Sequence, residues 1–143
     1  MVGIREDPYL SFRFLVEVQG LLVGGFSEVS GLQAETETEE IREGGVNDHV
    51  HKLPKITRHQ NIILKRGMTD SETLWKWHND VVNGKIERKT VFIILMDSEG
   101  SEVWRWYFER AYPVKWTGPD LRADSSTVAV ETLELTHDGI KKE

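Results

Sequence analysis

Cysteine is absent from the 143-residue chain. Disulfide frameworks, thiolate metal sites and cysteine nucleophiles are thereby excluded, and packing alone must hold the fold. Long apolar runs are absent as well: nothing approaches the roughly 18 residues of a membrane-spanning segment. Residues Met1 to Pro8 carry Arg5, Glu6 and Asp7 where a secretory leader would have its apolar stretch. The expected protein is soluble, made and assembled in the cytoplasm, without a signal peptide and without membrane insertion of the subunit. Basic residues are in deficit, 18 Lys and Arg against 24 Asp and Glu, for a net charge of −6. A dedicated nucleic-acid binder needs the opposite balance. Catalytic signatures are missing too. No G-x-S-x-G, P-loop or G-x-G-x-x-G occurs, and Gly24-Gly25 lacks the helix that would cradle a phosphate. The expectation is no enzyme activity and no cofactor.

What the chain does have is core material. Five Trp, five Phe and three Tyr within 38% hydrophobic residues suffice for one core, and 29% charged residues give a soluble surface. A chain of this length is expected to fold as one domain over residues 1–143, burying roughly 70% of its unfolded surface. Residues 1–7 read as an N-terminal arm, and no linker or repeat divides the rest. Leu10, Phe12, Phe14, Val16 and Val18 alternate with Ser11, Arg13, Glu17 and Gln19, a period of two that sets one apolar face on a core. Leu15 interrupts the polar face; it is either an ordinary outward residue or the mark of a second face covered by another subunit. Gly20 and Gly24-Gly25 bracket Leu21-Leu22-Val23, a second short strand or an edge.

From Gln33 to about Arg66 the pattern predicts an extended hairpin. Glu35, Glu37 and Glu39 fall on one face of its first arm, with Ala34, Thr36 and Thr38 on the other. Five Glu and one Arg crowd residues 35–43, while His49 to Met68 holds Lys52, Lys55, Arg58, Lys65 and Arg66 and no acid. Gly44-Gly45-Val46-Asn47-Asp48 turns between them. Opposite charges can then face each other across the strands, each exposed pair contributing about 0.2–1 kcal/mol.

One helix is predicted, over about 70–83. Thr69-Asp70-Ser71-Glu72 has the form of a capping box. Leu74, Trp77, His78 and Val81 make the buried stripe, and Gly84 stands where a left-handed C-terminal residue is needed. Val91 to Met96, the turn Asp97-Ser98-Glu99-Gly100 and Glu102 to Arg110 form a hairpin, with Trp104, Trp106 and Phe108 on one face. Ala111 to Asp124, with Pro113, Gly118 and Pro119, reads mostly as loop. Thr127 to His137 is the last strand. Its apolar phase shifts from Val128 and Val130 to Leu133 and Leu135, which predicts a bulge near Glu131-Thr132.

Several constellations could carry chemistry, and each has a structural competitor. His49-x-His51 with His59 could offer imidazoles to a metal, yet no acid in the 49–68 block could orient them, so solvated histidines are favoured and no metal is expected. His78 is either a base or a boundary side chain bonded to backbone. The glutamates at 35, 37 and 39 could pair for hydrolysis or form a solvated face. Trp104 and Trp106, beside Arg105 and Arg110, could stack nucleic-acid bases or pack against the helix that presents Trp77; the negative net charge favours packing.

Six to eight strands and one helix make a mainly β (α+β) fold, a two-sheet β-sandwich or barrel with one α-helix and an extended hairpin arm. Such a domain has sheet edges to protect or pair. Joining strands from several subunits into one continuous barrel leaves no edge. Assembly is therefore a physically motivated function, and its rival from another class is a monomeric or dimeric β-barrel binding module using Trp104 and Trp106.

An ordered series of segments runs through the chain: Phe26-Ser27-Glu28-Val29-Ser30-Gly31-Leu32, Arg42-Glu43-Gly44-Gly45, Leu53-Pro54, Leu64-Lys65-Arg66-Gly67, Leu74-Trp75-Lys76-Trp77, Ala111-Tyr112-Pro113-Val114-Lys115-Trp116-Thr117-Gly118-Pro119, and Val130-Glu131-Thr132-Leu133-Glu134-Leu135-Thr136-His137-Asp138-Gly139. Together they resemble the tail tube proteins of contractile-tailed phages and related extracellular contractile injection systems, over about residues 8–139. Lys55 stands where that family often has Gly after Leu-Pro. The resemblance implies a fold similar to the type VI secretion tube subunit and hexameric rings stacked with a rotation into a hollow tube. Contraction of a surrounding sheath drives that tube through a target envelope. A ring contact that closes and a stacking contact that does not give a filament ended only by capping.

The partners implied are further copies of this chain, sheath subunits, baseplate hub or spike and tube cap proteins, and protein or nucleic-acid cargo in the lumen. The particle is a phage tail or a contractile particle, released or membrane-anchored, and a baseplate-proximal tube initiator is the alternative within the family. In that picture Arg42, Gly44, Gly45, Leu53, Pro54, Lys65 and Arg66 lie at contacts between subunits. Glu35, Glu37 and Glu39 either line the channel as a sixfold ladder of negative charge or pair with basic residues of an adjacent subunit; the channel is preferred.

Overall fold

The computed structural model describes residues 13–19, 21–41, 51–68, 71–124 and 129–143. Among them are, in chain order, β1 (Arg13–Val18), β2 (Leu21–Phe26), β3 (Glu28–Ser30), β4 (Ala34–Ile41), β5 (His51–His59), β6 (Ile62–Gly67), α1 (Thr73–Val82), β7 (Lys89–Met96), β8 (Glu102–Thr117), β9 (Val130–Thr136) and β10 (Ile140–Lys142). The strands outnumber the expected six to eight because β3 and β10, three residues each, are too short to show a period. Leu10, Phe12, Thr127 and Val128 lie outside the described residues, as do the 1–7 arm and the 44–48 turn.

Apart from β4 and β5, the described strands form two antiparallel sheets joined through β8. One has β2, β1, β7 and the first half of β8, with β10 on the other side of β8; the second half of β8 continues into β9, β6 and β3. β8 serves both because it turns at Arg110, whose φ is 55°. At the opposite corner β2 passes into β3 through Ser27, whose amide and hydroxyl both donate to the Lys65 carbonyl, at 2.9 and 3.1 Å. The result is a cornered sandwich, not a closed barrel. Alternation supplies its core: Val16, Val18, Val91, Ile93 and Phe108 from one sheet meet Ile62, Leu64, Leu133 and Leu135 from the other. β7 is covered on its second face as well, where Ile94, 3% exposed, is flanked by the half-buried Leu15 and Arg105.

Leu74 and Trp77 are the buried stripe of α1, with His78 and Val81 half-buried beside them. Trp77 Nε1 donates to the Glu87 carbonyl at 3.3 Å and ties the following chain back to the helix. The helix ends as the glycine predicts. Gly84 has φ 86°, its amide donates to the Val81 carbonyl at 3.0 Å, and the Lys85 amide reaches the Asp80 carbonyl at 2.8 Å, a Schellman motif. The start differs from the capping-box reading. Glu72 is itself the N-cap and makes no side-chain cap, so α1 has 10 residues and begins at Thr73; Thr69 and Asp70 lie outside the described residues.

Three further expectations are corrected. Of the stretch from Ala111 to Asp124 read mostly as loop, residues 111–117 are strand, because β8 continues to Thr117, and 118–124 are irregular. Pro113 is tolerated there beside a bulge: it opposes Leu135 while Lys115 opposes Glu134, leaving Val114 as the extra residue. β9 carries no bulge at Glu131-Thr132, since its register with β6 is unbroken from Leu135 to Val130. The phase shift arises because an inward position is a glutamate, Glu131, 3% exposed. Trp104 does not pack on the helix; it is 40% exposed with Lys142 Nζ 4.2 Å from its ring centroid. The helix meets a different tryptophan, Trp75 lying edge-on to Trp116 at 4.8 Å.

Gly31 is where the chain leaves the sandwich for β4. It sits at φ +91°, and a Cβ there would overlap the Asn61 carbonyl oxygen at the start of β6. Gly31→Ala is expected to lose about 1–2 kcal/mol to the left-handed conformation and about 1–3 kcal/mol more to overpacking against backbone. Urea denaturation of the subunit measures the sum.

Candidate functional site

β4 and β5 form a two-stranded sheet of their own. Cross-strand partners share a face, so Glu35 stands with Arg58, Glu39 with Leu53 and Ile41 with His51, while Ala34 with His59, Thr36 with Thr57, Thr38 with Pro54 and Glu40 with Lys52 take the other side. Between Thr36 and Thr38 the register shifts by one, so Glu37 opposes the Lys55-Ile56 pair in a bulge of β5. Glu35, Glu37 and Glu39 therefore share one face. Arg58 crosses diagonally to Glu37, Nε to Oε1 at 2.8 Å. The opposite face is nearly neutral, and Thr36 and Thr57 bond through their hydroxyls at 2.9 Å. Every described residue of this arm is exposed except Glu37 and His59, which are half-buried. Its apolar side chains are therefore in water, with Leu53 47% and Ile56 56% exposed.

The root of the arm is more tightly built. The Gln33 amide donates to the Gly31 carbonyl at 2.7 Å and the Gln60 amide to the Gln33 carbonyl at 3.5 Å, so both strands leave the body side by side. His137, just after β9, accepts the Gly139 amide at Nδ1, 3.1 Å, and is 2.9 Å through Nε2 from the Gln60 carbonyl. Because Nδ1 accepts, Nε2 carries the proton and donates to Gln60. The His59 ring lies 5.6 Å from that of His137. Asn61 donates to Glu134 at 2.8 Å.

The residues singled out from the sequence separate into three groups. Leu53 and Pro54 are on the exposed arm. Lys65 lies in β6 at the sheet edge formed with β3, its Nζ 3.2 Å from a Glu28 carboxylate oxygen. Arg66 is different: it is 5% exposed and turned into its own subunit. Its Nε donates to Glu131 Oε1 at 2.7 Å, its Nη1 to the Val23 carbonyl at 3.4 Å, and Trp116 Nε1 completes the carboxylate at Oε2, 3.2 Å. Val23 is the extra residue of the bulge between β1 and β2, and the guanidinium sits 5.3 Å from the Phe26 centroid. Arg66 thus links the two sheets near the β2–β3 corner and is not a surface contact. Arg42, Gly44 and Gly45 lie outside the described residues.

Sequence reading missed Ile41 and Ile56, single apolar residues among charged ones on the arm. Arg105, considered from the sequence only as a neighbour of Trp104 and Trp106, instead gathers Glu102 at 2.6 Å, Glu17 at 3.4 Å and Glu143 at 3.8 Å on the outer face of the first sheet. The hydrogen bond to Glu102 raises the guanidinium above its already high ordinary value. Among the described residues no group of three His, Asp or Glu side chains is arranged to hold a metal ion, and no helix is long and apolar enough to cross a membrane.

The family described as T4-like virus tail tube protein gp19 matches residues 10–141. Among solved structures, the chain is similar to one in the sheath–tube complex of an extracellular contractile injection system, PVC, in the extended state. There the identity is 29% over 92% of this chain and 88% of that one, with a TM-score of 0.81. It is similar to a chain in the tube-terminating cap of the anti-feeding prophage, 25% identical over 100% of this chain and 95% of that one, with a TM-score of 0.82. The fold extends to Hcp1 from Flavobacterium johnsoniae, 18% identical over 91% of this chain and 94% of that one, at a TM-score of 0.57. Comparison with curated proteins gives no match. With nearly its whole length matched, this chain belongs to the T4-like virus tail tube protein gp19 family, a family of structural tube proteins.

Proposed function

We propose that the chain is the inner-tube subunit of a contractile injection apparatus, forming hexameric rings that stack into a hollow tube which sheath contraction drives through a target envelope. The observation that carries this reading is the arm. A two-stranded sheet solvated on both faces is marginal in water, and this one leaves Leu53 and Ile56 exposed. Such an element is stabilised by lying on something else, and further copies of the same chain supply that surface at every position of a ring. Sheath subunits, baseplate hub or spike proteins and a cap are the remaining partners, supported by the sheath–tube and cap assemblies that contain its relatives. Negative-stain images of the purified chain should show rings with sixfold end views and hollow cylinders. Small discrete particles, even with sheath and baseplate proteins added, would overturn the proposal.

Within the ring, the arm face with Ala34, Thr36, Thr38, Pro54 and Thr57 suits a neighbouring subunit, being small and nearly uncharged. Leu53 lies on the other face, opposite Glu39; in this reading a neighbouring subunit covers it while the glutamates stay open. That arrangement leaves Glu35, Glu37 and Glu39 toward the channel, where a ladder of carboxylates repels acidic protein or nucleic-acid cargo. Pro54 and Lys65, with Arg42, Gly44 and Gly45, belong to the subunit contacts in this reading. Replacing the three glutamates by Gln is expected to leave tube length and yield unchanged. Loss of tubes in that variant assigns the glutamates to an interface instead.

A further inference from the structure

We propose that Asn83 is a site of spontaneous covalent modification, converting to aspartate and isoaspartate through attack by the backbone nitrogen of Gly84. In this reaction the Gly84 nitrogen bonds to Asn83 Cγ, and the side-chain nitrogen leaves as ammonia. The resulting five-membered imide then takes up water at one of its two carbonyls. Opening at one carbonyl gives aspartate; opening at the other gives isoaspartate, with the chain routed through the side chain. The step needs a following residue without a Cβ, an accessible amide and a backbone free to leave its helical conformation.

Three asparagines lie among the described residues, and they differ on every count. Asn61 precedes the buried, β-branched Ile62 and its amide is held by Glu134 at 2.8 Å. Asn79 lies inside α1 and precedes Asp80. Asn83 precedes Gly84, both are exposed, and the space where a Gly84 Cβ would stand is open. The restraint on it is the helix end itself. At φ −87° and ψ 12° Asn83 is the C-cap, and the attacking nitrogen is engaged by the Val81 carbonyl at 3.0 Å. Fraying of the last turn releases that nitrogen, because terminal turns open at low cost. Either product then disfavours reclosure. A new carboxylate meets the negative end of the helix dipole one turn from Asp80, and isoaspartate lengthens the backbone where the Schellman geometry needs Gly84.

The test holds the purified full chain in mildly alkaline buffer and maps peptides by mass spectrometry, with enzymatic methylation to score isoaspartate. A urea-unfolded sample and the Asn83→Ser variant serve as controls. Both products are expected to accumulate at Asn83 of the folded chain, more slowly than in urea, with Asn61 and Asn79 unchanged. The Asn83→Asp variant is expected to melt at a lower temperature than the parent. An intact Asn83 amide in the folded chain, after the unfolded sample has converted completely, would overturn the proposal.

Discussion

Glu131→Ala is expected to cost about 3–5 kcal/mol, the range for stripping one partner from a buried ion pair. That is a large part of the roughly 5–15 kcal/mol that holds a domain of this size together. Both side chains are dry, 3% exposed for Glu131 and 5% for Arg66. Removing the carboxylate leaves the guanidinium with the Val23 carbonyl at 3.4 Å and orphans the Trp116 indole N–H. Arg66→Met leaves the carboxylate buried with only the indole, and should cost a similar amount. The joint variant Arg66→Met with Glu131→Leu is expected to recover most of the loss, because well-packed apolar residues often replace a buried pair at no net cost. Urea midpoints of the parent, Arg66→Met, Glu131→Leu and the joint variant close a double-mutant cycle. A single-variant loss below about 1 kcal/mol, the scale of an exposed pair, would mean that water reaches the site.

The same pair marks where sequence legibility ends. β1 and β7 announce themselves because their inward positions are apolar, and the helix C-terminus because only a residue without Cβ sits comfortably at φ 86°; β6, read as part of the extended hairpin, instead pairs with β9 in the body and turns Arg66 inward beside Ile62 and Leu64. β9 obeys the same period, but its inward position 131 is a charge whose partner is 65 residues away in sequence. A phase rule therefore registers a bulge where none exists. β8 misleads for a related reason. Pro113, Gly118 and Pro119 signal a break, yet Pro113 rests beside a bulge and the 16-residue strand ends only at Thr117, just before the other two. The arm was legible in outline from opposed charge, since Glu40 does stand across from Lys52 and Glu35 from Arg58. What charge could not reveal is that Glu39 faces Leu53 and that Ile56 falls in a bulge, because register depends on where one extra residue is accommodated.

Deleting the arm is expected to abolish assembly and leave the body folded. No side chain of β4 or β5 belongs to the core cluster, which closes through Leu32 on one side and Ile62 on the other. Gln33 and Gln60 are already hydrogen-bonded at the root, so a short glycine-serine linker in place of residues 34–59 spans the gap with little strain. Loop shortening of this kind changes closure entropy only slowly, by about 0.6 kcal/mol per halving of length. The thermal midpoint should therefore move by only a few degrees, less the small contribution of the His59 and His137 contact. Rings and tubes, by contrast, should vanish from electron micrographs. Subtler variants locate the energy: Leu53→Asp or Ile56→Asp should each weaken assembly by about 2 kcal/mol or more if the side chain anchors a contact, roughly 30-fold in affinity. Lys52→Ala, on the neutral face's rim, should weaken it by under about 1 kcal/mol. An armless chain that still builds hollow tubes would remove the arm from the assembly mechanism and leave the sheet edges at β3 and β10 to carry it.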